Sequence, residues 1–84
     1  MARSDRDSDV TRLPSVTGRN VLRALGRAGF VVIRIEGSHH MLRHPQRGGL
    51  VSVPVHAGDV VPPGTLRNLL RQAGLTVEEF IKLL

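Results

Sequence analysis

Cysteine, tryptophan and tyrosine do not occur in this 84-residue sequence, and its only aromatic rings besides histidine are Phe30 and Phe80. Without thiols there is no disulfide framework and no thiolate metal site, and nothing asks for an oxidising compartment, so the cytosol is the expected location. Single-stranded bases commonly bind by stacking on exposed rings, and a chain this poor in aromatics has little to offer them. Long apolar runs are missing too. The longest, Phe30 to Ile33, falls far short of the roughly 20 residues that cross a bilayer. Met1 to Ser8 are polar and charged where a secretion signal needs about 7 to 15 apolar residues, so neither export nor a membrane partner is expected.

What the chain does have is positive charge. Twelve basic residues against seven acidic ones leave a net charge of +5, and eleven of the twelve are arginine. On a surface this small that excess attracts polyanions, which makes nucleic acid the first partner class to consider; a bias of genome composition is the bland explanation. Residues 1–14 carry three arginines and three aspartates but almost no apolar content, too little to offset the entropy of ordering. They read as a disordered tail whose charges cancel, which leaves the whole excess on a single small domain at 15–84.

Hydrophobic periodicity gives the element order. Thr17 is an N-cap for a helix in which Val21, Leu22, Leu25 and Ala28 form the apolar face and Gly29 follows the C-terminus. Arg19, Arg23 and Arg27 lie four apart and stack on one stripe of it, as a solvated face or a contact for RNA. Phe30 to Glu36 reads as a strand with Val31, Ile33 and Ile35 turned to the helices and Arg34 and Glu36 to the other side. Gly37-Ser38 fits a two-residue hairpin with glycine first, where φ must be positive.

His39 to His44 then forms a second strand, Pro45 to Gly49 a turn, and Leu50 to Val55 a third strand whose Pro54 implies an edge or an end. Leu66, Leu69, Leu70 and Ala73 mark a second long helix ending at Gly74, and Thr76 to Glu79 is a capping box opening a short C-terminal helix. The fold class is α+β, two helices on one face of a three-stranded antiparallel sheet, with the opposite face left open.

Histidine is the residue with chemistry to offer. His39 and His40 alternate across a strand, and His40 to His44 is four strand steps, about 13 Å, so one metal ion cannot join them; no metal and no cofactor are expected. Imidazole titrates near pH 6.5 in model compounds and suits proton transfer, and RNA carries its own nucleophile in the 2′-hydroxyl. A histidine beside a tight turn on a basic surface could therefore take that proton, while arginines offset charge on the phosphoryl oxygens. Met41 and Leu42 are both apolar, so alternation does not decide which of His39 and His40 faces out. The plain alternative is an exposed strand histidine with no chemical task.

A family resemblance enters at these residues. The run Thr17-Gly18-Arg19-Asn20-Val21-Leu22-Arg23-Ala24-Leu25, then Gly29-Phe30, Gly37-Ser38-His39-His40, Val53-Pro54-Val55-His56 and Pro63-Gly64-Thr65-Leu66-Arg67, resembles the HicA toxins, also called YcfA-like mRNA interferases. The resemblance spans residues 17–84. It implies a double-stranded-RNA-binding-like α-β-β-β-α fold, here with a short extra C-terminal helix, and a toxin that cuts mRNA without a cofactor and is neutralised by a HicB-type antitoxin over its active face. It also implies that the catalytic histidine is His39 or His40. Gly37, Ser38, Arg34, Arg43, Arg19 and Arg23 complete the expected RNA contacts. Asn20 departs from the family pattern, where an acidic residue is common, and the tail is longer than the family core needs. A non-catalytic RNA-binding module of the same fold is the alternative, and a domain that binds an acidic protein is a third reading.

Overall fold

The structure is a computed structural model that describes residues 13–84. The expected tail lies outside the described residues up to residue 12; Leu13 is half-buried and packs against the core, and Val16 is buried in it.

Helix α1, Gly18–Arg27, starts where the sequence places a cap. The Thr17 hydroxyl accepts from the Asn20 N–H at 3.2 Å, and the Asn20 Oδ1 accepts from the Thr17 N–H at 3.1 Å. Asparagine thus closes the capping box that a carboxylate usually closes. Three strands follow, β1 (Val31–Glu36), β2 (His39–His44) and β3 (Gly48–Pro54), paired antiparallel in the order β1-β2-β3. The β1–β2 hairpin turns on Gly37, whose φ of 60° is the left-handed value required of the first turn residue. Helix α2, Pro63–Ala73, ends at Gly74 with φ 75°, and helix α3, Val77–Leu83, opens on the Thr76–Glu79 capping box, both of whose hydrogen bonds form. The architecture is α+β, α-β-β-β-α with one further helix, as the sequence leads one to expect.

Burial fixes the faces of the sheet. Leu42, Val51 and Val53 are buried and meet Val21, Ala24, Leu25, Leu66, Leu69 and Phe80 in the core beneath the helices. Because side chains alternate, His40 and His44 lie on the same covered face as Leu42, and His39, Met41 and Arg43 lie on the open one. Both phenylalanines, Phe30 and Phe80, are buried.

The first strand corrects the sequence reading. Val31, Ile33 and Ile35 do not turn together toward the helices; they are 50%, 50% and 58% exposed. Val31 and Val32 pair with Arg43 and Leu42, but Arg34 pairs with Met41, so the register slips by one residue and Ile33 forms a bulge. The slip breaks the period of two. Val31 and Arg34 lie on the open face and Val32 and Ile35 on the other, where β1 is the edge that the helices do not reach.

Candidate active site

The hairpin Gly37-Ser38 brings the end of β1, the start of β2 and the end of β3 to one point, since Glu36 pairs with His39 and His39 with Pro54. The ladder runs one bond further, with the Val55 N–H donating to the Ser38 carbonyl at 2.7 Å. Helix α1 begins at the same place. A Cβ on Gly18 would collide with the Pro54 carbonyl oxygen, so glycine lets the helix lie directly on the β3 backbone.

Beyond Val55 the chain makes a tight turn in which the Asp59 N–H donates to the His56 carbonyl at 2.9 Å, with Gly58 at φ 77°. It returns along the segment before α1, where Val60 bridges Thr17 and the Val61 N–H donates to the Val16 carbonyl at 2.8 Å. A cleft of about 270 Å³ opens between this loop and the strand ends, lined by His39, Pro54, His56, Asp59, Val60, Val61, Pro62 and Thr65. Two imidazoles, a carboxylate and a hydroxyl therefore share one open cavity with an apolar floor.

His39 is exposed on the open sheet face and lines the cleft. His40 is half-buried on the covered face, and its Nδ1 is buried with no hydrogen-bond partner. His44 serves the fold: its Nε2 lies 3.2 Å from the Ala28 carbonyl and its Nδ1 accepts from the Gln46 N–H at 3.2 Å. One neutral tautomer, with the proton on Nε2, satisfies both contacts, and the ring packs edge-on against Phe30 at 5.1 Å. His56 is exposed, with its Nε2 3.5 Å from the Ser38 hydroxyl.

The arginines expected to hold RNA separate into groups. Arg34 is on the open face, but its Nε donates to the Glu36 carboxylate at 2.8 Å, so a phosphate would compete with that ion pair. Arg43 shares the open face, four strand steps or about 13 Å along β2 from His39. Arg19 and Arg23 are exposed on α1, Arg19 at the helix start that abuts Pro54 and Val55. Arg27 leaves the stripe the sequence suggests: its guanidinium donates to the Leu83 and Leu84 carbonyls at 2.6 and 2.9 Å. Arg47 likewise donates to the Ala73 carbonyl at the end of α2, at 3.1 Å.

Three polar residues of the cleft escape the sequence reading as site residues. His56 was visible within its Val-Pro-Val-His motif, but Asp59 and Thr65 carry no local signal, because the path of the loop brings them to the cleft. Among the described residues no group of three or more His, Cys, Asp or Glu is gathered so as to hold a metal ion.

A family model described as HicA toxin of bacterial toxin-antitoxin matches residues 18–75. The chain belongs to the HicA toxin family. The matched span holds α1, the three strands, the cleft loop and α2, so every cleft-lining residue falls inside it. The resemblance carried by the Gly37-Ser38-His39-His40 turn and its flanking motifs is thereby borne out, and with it a toxin's function and an antitoxin as partner. No curated protein matches this chain. None of its described helices is long and apolar enough to cross a membrane.

Proposed function

We propose that this HicA-family toxin is an endoribonuclease that cuts mRNA without a metal, with His39 as the general base. The observation that carries the reading is the position of His39, exposed on the open sheet face at the mouth of the cleft. His40 is the weaker choice, since its ring lies on the helix-covered face with one nitrogen sealed from water. In the proposed reaction the His39 imidazole takes the proton of a ribose 2′-hydroxyl. The oxygen attacks the adjacent phosphorus, and the bond to the 5′-oxygen of the next nucleotide breaks.

Charge gathers on the phosphoryl oxygens in that step, and donors already in place lower its cost. Helix α2 opens at the cleft with Pro62 as an N-cap that has no side-chain bond, and Thr65 lines the cavity. The N–H groups of Gly64 and Thr65, in its first turn, have no acceptor within the helix, and free donors at a helix start favour an anion. Arg19 adds a cation at the same end of the molecule, and Arg23 and Arg43 extend the basic surface along which an RNA strand would run. An antitoxin of the HicB type covering this face would silence the toxin by excluding RNA.

The test is cleavage of a defined RNA in the presence of a chelator. Purified protein is expected to cut it, a single 2′-deoxy substitution at the cut site is expected to block that cut, and His39→Ala to slow cleavage by about 10² to 10⁴. Cutting of the 2′-deoxy site at an undiminished rate would sink the mechanism. Binding without cutting by the unaltered protein would favour the non-catalytic RNA-binding module instead.

A further inference from the structure

The ribonuclease reading gives work to one histidine, yet the cleft contains two. His56 reaches it from the loop after β3, its Nε2 3.5 Å from the Ser38 hydroxyl of the hairpin that carries His39. The turn from His56 to Asp59 is held by its own backbone hydrogen bond, so the ring projects from an ordered segment. Breaking a phosphodiester by 2′-oxygen attack moves two protons, one off the nucleophile and one onto the leaving group, and His39 can account only for the first.

We infer that His56 is the general acid of the reaction, giving a proton to the departing 5′-oxygen while His39 removes the proton from the 2′-hydroxyl. This rests on the ribonuclease reading above. The bond from 2′-oxygen to phosphorus forms and the bond from phosphorus to 5′-oxygen breaks. The electron pair of the broken bond stays on the 5′-oxygen, which takes the His56 proton and leaves as a hydroxyl. The products are a 2′,3′-cyclic phosphate and a 5′-hydroxyl end, with His39 protonated and His56 neutral. Exchange with water restores both rings, so no oxidant, metal or other co-reactant is needed.

The arrangement suits the task. Proton transfer needs both groups at one phosphate but on opposite sides of it, and the cleft draws one ring from β2 and the other from the facing loop. No other imidazole is available there, because His44 is engaged by Ala28 and Gln46, and His40 lies on the covered side of the sheet.

The deciding experiment compares an ordinary RNA with the same RNA carrying sulfur in place of the 5′-oxygen at the cut site. A thiolate leaves without being protonated. His56→Ala and His56→Gln are expected to cut ordinary RNA about 10²-fold or more slowly, and to recover to within about tenfold of the unaltered protein on the thio substrate. His39→Ala is expected to stay slow on both. Thermal melting of each variant checks that this exposed residue has not been needed for folding. Equal slowing of the His56 variants on both substrates, or no slowing on either, would overturn the role of His56 while leaving a one-histidine nuclease standing. No cleavage of ordinary RNA by the unaltered protein would overturn the ribonuclease reading itself, and this inference with it.

Discussion

A buried ring nitrogen with nothing to bond is expensive, about 1 to 3 kcal/mol, and the Nδ1 of His40 is in that position. Replacing His40 by leucine removes the unmet polar atom and keeps apolar contact with Val53, its neighbour across the sheet. His40→Leu is therefore expected to keep the cleavage rate within a fewfold of the unaltered protein and to melt no lower, as denaturant titration and an RNA assay would reveal. A melting point several degrees lower would show that the ring has a bond of its own. Two glycines of α1 make a second pair of expectations. Gly26 has open space where a Cβ would go, so Gly26→Ala gains about 0.5 to 1 kcal/mol of helix stability. Gly18→Ala pushes a methyl group into the Pro54 carbonyl and costs about 1 to 3 kcal/mol, with loss of activity as α1 lifts from the strand ends. Chemical denaturation of the two variants should move the midpoint in opposite directions. From the sequence, His39 and His40 are equal candidates because Met41 and Leu42 are both apolar; only the burial of Leu42 under the helices tells which of the two lies on the open face.

At the scale of elements, caps and turns were legible because they are local. Thr17, Gly37, Gly74 and Thr76 each act through hydrogen bonds or torsions within a few residues, and all four do what their types suggest. Strand β1 was not legible in the same way. Its six residues alternate as a half-buried strand would, but a bulge at Ile33 and an edge position beyond the helices leave its apolar side chains exposed. Energetics should follow exposure rather than hydrophobicity. Leu42→Ala is expected to cost about 2 to 5 kcal/mol, whereas Ile35→Ala, at a site more than half exposed, should cost under about 1 kcal/mol in the isolated protein. Similar losses for both would mean that β1 is covered in solution. The cleft loop was the other blind spot, since Asp59 and Thr65 meet there only through the pairing of Val60 with Thr17 and of Val61 with Val16.

For the molecule as a whole, the +5 charge does two different jobs. Arg27 and Arg47 spend their guanidinium groups on carbonyls at the ends of α3 and α2, binding the C-terminal helices to the rest. Arg19, Arg23 and Arg43 have no such partner among the described residues. Substituting Arg27 by alanine should lower stability by about 1 kcal/mol or more and leave the salt dependence of RNA binding nearly unchanged. Substituting Arg19, Arg23 or Arg43 should do the reverse, each reducing the slope of log affinity against log salt by about 0.7 for a single strand. Filter binding across a salt series, set beside thermal melts, would separate the two groups. The charge excess is plain in the sequence, but its division is not, because a helix terminus 56 residues away claims Arg27. Last, both phenylalanines lie inside the protein, so among the described residues the only rings at the cleft are the two small imidazoles of His39 and His56. On the proposed ribonuclease reading the grip then falls mainly on sugar and phosphate, and mapping its cuts along a transcript is expected to show little preference for one base over another.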